Sequence, residues 1–218
     1  MAVFAGLELS LPTLVIFAIL ALLSVMAVAT GLWKAAQFRR LGVGRAAEAE
    51  AILDDWLSNR ARRAIERADH RRTGGARILQ AVFTGRQARP GDPAYAEELG
   101  RQAALGELGA LGARMRLLEM VVQAAPMLGL LGTVIGMIDA FGALSVAEGA
   151  VAPSALASGI WTALTTTAAG LAIALVAYFI ANLFESRIER ERARMESLLS
   201  AAIHGRVDGP AATAAPAA

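Results

Sequence analysis

The chain has 218 residues, of which 56% are hydrophobic, and its mean hydropathy is +0.50. This composition is too apolar for an ordinary soluble domain, and a chain without cysteine has no disulfides, thiol catalysis or cysteine-based metal site. The pI of about 9.6 comes from arginines that flank apolar segments, so we interpret them as orientation determinants and solvated helix faces and expect no nucleic-acid partner.

Three long apolar runs follow one another along the chain. Residues 9–33 and 149–184 carry no charge, and residues 120–147 carry only Asp139. A helix needs about 20 apolar residues to cross a membrane, so each run is long enough for one span. We predict transmembrane helices within residues 1–33, 117–146 and 155–184, with a connection at 147–154 that includes the helix-breaking Pro153.

The remaining segments predict helices outside the membrane. Residues 34–116 begin with an amphipathic pattern over 34–72, which we expect to continue the first helix. A break at 73–75, a short apolar helix at 78–83 and a loop at 85–93 follow, and the helix resumes at Ala94 and continues into the second span. Residues 185–205 predict a charged extension of the third helix, and residues 206–218 a disordered tail.

The basic residues predict how the chain crosses the membrane. All 21 Lys and Arg residues lie within 34–116 or 187–206, whereas the connection at 147–154 carries only Glu148. Positive residues stay on the cytoplasmic side. The predicted fold is therefore an all-α, multi-pass inner-membrane protein, with three long helices extending into a helical cytoplasmic domain. Its N-terminus and connection are periplasmic, and its C-terminus is cytoplasmic.

The sequence contains no constellation that points to an enzyme. His70 and His204 lie in charged segments without a paired carboxylate at metal-ligand spacing, and no basic residue follows the glycines of the second span as it would in a phosphate-binding loop. We therefore expect no catalytic residues, no bound metal and no cofactor.

Small residues recur at helical spacing in the second and third spans. Lipid provides no hydrophobic force to join helices, so close contact depends on small side chains that let two backbones approach. The second span places Ala125, Gly129, Gly132, Gly136 and Ala140 on one face, close to Pro126, which we expect to kink its inner end. The predicted stripe of the third span consists of Ser158, Thr162, Thr166, Gly170, Ala174, Ala177 and Ala181.

Hydroxyl groups inside the same spans predict an ion pathway. Thr133 lies within the second span, and Thr162, Thr165, Thr166 and Thr167 lie within the third. Polar residues within spans mark ion routes, although a threonine can also bond to its own helix and only fill space. Asp139 fits either a mouth-lining carboxylate or a solvated charge at the helix end. Because neither span carries a central carboxylate, a partner would have to supply the charged group.

Two stretches resemble the MotA/TolQ/ExbB proton-channel family. The segment APMLGLLGTVIGMI at 125–138 resembles its second-span signature, and ALTTTAAGL at 163–171, continuing to Tyr178 and Asn182, resembles the third. The three-span count is similar to the ExbB and TolQ branch, because flagellar stators of the MotA type have four spans. The resemblance makes Thr133 and Thr167 the counterparts of the family's pore threonines.

The resemblance also implies an assembly. Five copies would form a ring around two copies of a single-span ExbD/TolR-like subunit, whose membrane aspartate would bind the transported proton. Ion flow would then turn one component against the other, and a TonB- or TolA-like protein would receive the motion.

One departure leaves the transported ion open. ExbB and TolQ commonly carry a glutamate where this chain has Thr162. The adjacent Thr166 and Thr167 are similar to those of sodium-driven stators, and hydroxyl and carbonyl oxygens suit Na⁺. A membrane scaffold without ion conduction is the alternative from another class, and a solute permease acting alone is disfavoured because broken helices are absent from the pattern.

Overall fold

The computed structural model describes residues 11–70, 73–146 and 153–206, and within these ranges it contains seven helices and no strand. Residues 1–10, residues 147–152 of the connection predicted at 147–154, and residues 207–218 of the tail predicted at 206–218 lie outside the described residues. The helices are α1 Leu11–Leu41, α2 Ala46–Leu57, α3 Ala61–Asp69, α4 Gly74–Ala88, α5 Pro93–Gly112, α6 Met115–Val146 and α7 Pro153–His204.

The all-α fold class is confirmed for the described residues, since every regular element among them is a helix. Three helical stretches are also long and apolar enough to cross a membrane. The chain divides into two compact units. We call residues 11–34, 114–146 and 153–184 the span unit, and residues 35–70, 73–113 and 185–206 the charged unit.

Helix α1 contributes one face to the packing of the span unit. Its buried residues recur every three to four positions, as expected for a helix with one covered side: Ile16, Leu20, Leu23, Ala27, Thr30 and Lys34. Gly31 lies against α7, where an added methyl group would be 3.1 Å from Ile180 Cγ2. Residues such as Leu14, Leu22 and Val25 on the other side of α1 are exposed, as a lipid-facing surface requires.

The charged unit is built from shorter helices than the sequence pattern predicted. The expectation of one amphipathic helix over 34–72 is wrong, because the chain turns twice. Gly42 ends α1 with a φ of 65°, and the Val43 amide donates to the Phe38 carbonyl. Asn59 ends α2 with a φ of 60°, and the Arg60 amide donates to the Asp55 carbonyl. Both are helix endings that use a left-handed residue.

Helices α4 and α5 also differ from their predicted bounds. Helix α4 begins within the expected break and runs to Ala88, past Gly85, which packs against the backbone of Ala96 on α5. Asp92 caps α5 by accepting a hydrogen bond from the Tyr95 amide at 3.1 Å. Helix α5 ends at Gly112, so the predicted continuous helix into the second span is interrupted, whereas α7 continues unbroken as predicted.

One apolar core holds the charged unit together. The Trp56 and Phe83 rings stack with their centroids 4.2 Å apart, and the Trp56 indole N–H donates to the Ala202 carbonyl at 3.2 Å. These contacts join α2, α4 and the end of α7. Other buried members include Ile52, Leu53, Leu79, Val82 and Leu198.

A buried carboxylate adds polar contacts to this core. The Asp55 side chain is 5% exposed and forms ion pairs with Arg67 at 2.7 Å, Arg60 at 3.0 Å and Arg63 at 3.7 Å. The three arginines belong to α3 or immediately precede it, so Asp55 fixes α3 against α2. By contrast, the Glu66–Arg62 pair on α3 is exposed on both sides.

We predict that Asp55→Asn lowers the free energy of unfolding of the charged unit by about 1.5–3 kcal/mol, because several charge-assisted bonds to a buried group are weakened together. Glu66→Gln is the matched control and should change it by about 0.5 kcal/mol or less. Urea unfolding followed by Trp56 fluorescence, in a background with the other tryptophans replaced by phenylalanine, measures both. Equal losses of unfolding free energy in the two variants would show that burial of Asp55 does not strengthen its ion pairs.

Candidate functional site

The predicted ion-route residues lie at or beside the contact between α6 and α7. Glycines on both helices bring the two backbones together. A methyl group added at Gly129 would lie 3.0 Å from the Thr166 carbonyl oxygen, and one added at Gly170 would lie 2.5 Å from the Ala125 carbonyl oxygen. At Gly136 it would lie 2.9 Å from Ala163 Cβ. At Gly170 the neighbouring atom belongs to the backbone and only glycine permits the separation, whereas at Gly129 and Gly136 a larger residue would force the helices slightly apart.

Thr166 is the central side chain of this contact. It is completely buried and packs directly on Gly132, where any added methyl group would overlap its hydroxyl oxygen. Its hydroxyl donates to the Ala163 carbonyl at 2.6 Å and lies 3.3 Å from the Gly129 carbonyl. In this arrangement Thr166, predicted as an ion-pathway residue, fills the space between the helices and sets their register.

Thr167 forms the hydrogen bond that joins the two helices most directly. Its half-buried hydroxyl donates to the Gly129 carbonyl of α6 at 2.8 Å. The oxygen keeps its lone pairs, so it can still accept a hydrogen bond or contact a cation.

Thr133 and Thr162 bond to their own helices. The Thr133 hydroxyl donates to the Leu130 carbonyl at 2.6 Å, and that of Thr162 donates to the Ser158 carbonyl at 3.0 Å. Both residues are half-buried. Thr133 also lines an apolar surface groove of about 680 Å³ on α6, together with Met137, Phe141 and neighbouring residues. Its hydroxyl is therefore next to space that another helix could occupy.

The other predicted residues occupy different positions. Asp139 is exposed on α6, six residues after Thr133, which fits both roles that the sequence left open. Pro126 is half-buried and lies inside α6, which continues through it. Among the described residues, no group of three or more His, Cys, Asp or Glu side chains is arranged to hold a metal ion.

The predicted stripe on α7 is buried from Thr166 to Ala181, and only its first two members, Ser158 and Thr162, lie one position away from the buried face. Ala163 is buried against Gly136, whereas Thr162 is only half-buried. The sequence analysis missed Gly159, where an added methyl group would lie 2.6 Å from Ala140 Cβ. The spacing Gly159, Ala163, Thr166, Gly170 could have revealed this face. The prediction treated serine and threonine as being as small as glycine and alanine, so it chose Ser158 and Thr162 in place of Gly159 and Ala163.

Chemically, the contact offers oxygen atoms of hydroxyl groups and of the Gly129 carbonyl. Such atoms can coordinate a passing cation or pass a proton along hydrogen bonds, but none of them holds a negative charge. A carboxylate from another chain, placed beside Thr133, would supply what this site lacks.

Comparison with known proteins places these segments in context. The profile of the MotA/TolQ/ExbB proton channel family matches residues 70–197, more than half of the chain. The chain is similar to biopolymer transport protein exbB1 of Vibrio cholerae, with 41% identity over 86 residues, which cover 39% of this chain and 38% of that protein.

Two further relatives extend the comparison. The Synechocystis sp. protein named "Putative biopolymer transport protein ExbB-like 1" is 35% identical over 169 residues, covering 74% of this chain and 63% of that protein. An ExbB homologue of Methanothermobacter thermautotrophicus is 42% identical over 79 residues, covering 36% of this chain and 27% of that protein. In each case, the chain spans less than two thirds of the relative's length.

We predict that Gly170→Ala lowers the stability of the span unit by about 1–3 kcal/mol, because the new methyl group meets backbone atoms of α6 that cannot move aside. Gly142→Ala is the matched control, since nothing lies within 4 Å of its added methyl group. It should leave stability unchanged or raise it by up to about 1 kcal/mol. Thermal unfolding in mild detergent distinguishes the two. A Gly170→Ala protein as stable as the control would contradict the close helix approach.

Proposed function

Because the chain belongs to the MotA/TolQ/ExbB proton channel family, we propose that it is the larger subunit of an ion-driven motor of the ExbB/TolQ type. In this role it converts the proton-motive force into mechanical work for outer-membrane transport or envelope integrity. The names of its relatives from Vibrio and Synechocystis, which both refer to biopolymer transport, support this proposal. The role involves ion movement and mechanical work, without covalent catalysis or a cofactor.

The observation that carries the proposal is the pair of hydroxyls at Thr133 and Thr167. Both side chains are half-buried in an otherwise apolar helix pair, and both bond to carbonyl groups of α6. Rigid backbone contacts at Gly129 and Gly170 fix their positions. Fixed oxygens without a charge suit the transient contact of an ion that a second protein carries.

The proposed partner is a single-span subunit of the ExbD/TolR type, which would provide a membrane carboxylate. We further propose a homo-oligomeric ring, a pentamer, around two copies of that subunit, with a TonB- or TolA-like protein receiving the motion. Large apolar residues exposed on α6 and α7 leave surface for lipid, neighbouring copies and the partner: Met127, Leu130, Val134, Ile138, Phe141, Trp161, Leu164, Leu171, Leu175 and Phe179.

The proposed location is the bacterial inner membrane. The segregation of all lysines and arginines into residues 34–116 and 187–206 supports a cytoplasmic charged unit and C-terminus, with a periplasmic N-terminus.

A sodium-driven version of the same motor is the second candidate. The adjacent Thr166 and Thr167 favour it, as does the neutral hydroxyl of Thr162, which lies in a segment without charged residues. Neutral oxygen ligands of this kind suit Na⁺. Uncouplers applied at a constant sodium gradient separate the two ions. Loss of motor output under these conditions, with no effect of sodium removal, would exclude sodium.

We predict that the double variant Thr133→Val/Thr167→Val assembles normally but loses motor output by on the order of tenfold or more. Valine keeps the volume while removing both hydroxyls, and a hydrogen bond to a charged group is typically worth enough for that factor. Output is measured as energised outer-membrane uptake or envelope integrity in cells, and assembly by native mass spectrometry with the adjacent single-span protein.

Two controls make this test specific. Thr84→Val removes a hydroxyl that also bonds to its own helix, at the Gln80 carbonyl, but lies in the charged unit, so output should be unchanged. Thr133→Ser/Thr167→Ser retains the hydroxyls and should restore most of the output. A valine double variant that assembles and works fully would support a structural scaffold instead.

A further inference from the structure

The arginines of this chain fall into two groups according to their ion pairs. Away from the spans, most arginines pair with a carboxylate, as Arg77 does with Glu107 at 2.9 Å and Arg206 with Glu50 at 2.7 Å. Close to the ends of the apolar runs this pattern changes. Within the described ranges, no acidic side chain forms an ion pair with the following arginines: Arg39, Arg40, Arg114, Arg116 and Arg187.

Arg114 is the member of this second group with the most defined geometry. Its guanidinium carbon lies 3.9 Å from the centroid of the Trp33 ring. Its backbone has a φ of 65°, a left-handed conformation that side chains other than glycine, asparagine and aspartate rarely adopt. The residue is exposed, so no burial forces this conformation, and the stacking on Trp33 is the contact that accompanies it.

Further positive charge surrounds this contact. Lys34, next to Trp33, is completely buried. Arg116 follows two residues later and is exposed. A guanidinium without an acidic partner attracts an anion, and the cationic residues that neighbour Trp33 and Arg114 in the sequence add to this attraction.

The position of the cluster indicates which anion. Trp33 ends the first apolar run, and Arg114 and Arg116 precede the second, so the cluster lies where apolar sequence gives way to charged sequence. Tryptophan is enriched at this level of a membrane, and basic sites between transmembrane helices bind anionic headgroups. The planar guanidinium suits the oxygens of a phosphate. An acidic peptide would fit less well, because the cluster is flanked by apolar runs of sequence that suit acyl chains.

We propose that Trp33, Arg114 and Arg116 form a binding site for the headgroup phosphate of an anionic phospholipid. Arg114 donates to the phosphate oxygens while its face stacks on Trp33. Arg116, two residues further along the chain, provides a second donor. The site depends on the chain being embedded in a membrane and is independent of the proposed ion route.

The test is native mass spectrometry of the full chain in mild detergent, titrated with dioleoylphosphatidylglycerol or dioleoylphosphatidylcholine. The two lipids share their tails and phosphate and differ in net charge. We expect tighter binding of phosphatidylglycerol, and Arg114→Asn should weaken it by about tenfold, since a charge-assisted contact is lost. Asparagine tolerates the left-handed backbone, so the fold should persist. Thermal unfolding without added lipid verifies this.

Arg86→Asn is the matched control, because Arg86 lies on α4 and also has no ion pair within the part of the chain that the structure describes. It should bind phosphatidylglycerol like the unaltered chain. Equal binding of both lipids to the unaltered chain, or equal losses in the Arg114 and Arg86 variants, would overturn the proposal. Motor output is scored separately, so failure of the lipid site and failure of the proposed function are distinguishable.

Discussion

Two apolar helices in lipid gain little from the hydrophobic effect when they meet, so the distance between the α6 and α7 backbones determines how firmly they associate. Gly129 and Gly170 make that distance short, because each faces backbone atoms of the other helix. The close approach also brings the Thr167 hydroxyl to the Gly129 carbonyl. The same two glycines therefore permit both the close packing and the hydrogen bond between the helices. The proposed ion-route hydroxyls keep their positions because of this contact.

The charged unit is stabilised by different forces. Its apolar core, built on Trp56, Phe83 and their neighbours, lies among charged helices, and burial of these side chains contributes hydrophobic stabilisation. Asp55 adds a polar contact that ties α3 to α2. A single chain therefore combines two folding regimes, and substitutions in the two units should be interpreted by different rules.

Much of this architecture could be predicted from the sequence. On α6 the spacing of small residues was sufficient to predict the face that contacts another helix. Glycine recurs at 129, 132 and 136, and such a recurrence in an apolar helix indicates a close helix contact. For α7 the spacing identified the buried face from Thr166 to Ala181 but placed its first two members one position away, because several residue types are equally small there. The breaks at Asn59 and Arg114 follow from backbone conformations that side-chain periodicity does not encode. Whether Thr166 faces a pore or a neighbouring helix depends on a rotation that hydropathy cannot resolve.

The packing of Thr166 on Gly132 also constrains how this protein can vary through evolution. The space between the two Cα atoms accommodates one side chain, and Thr166 fills it. A larger residue at position 132 is therefore tolerable only if position 166 becomes smaller in the same lineage. The two sites, 34 residues apart in the sequence, form a single unit of substitution, and a drift toward serine or alanine at one should accompany a compensating change at the other.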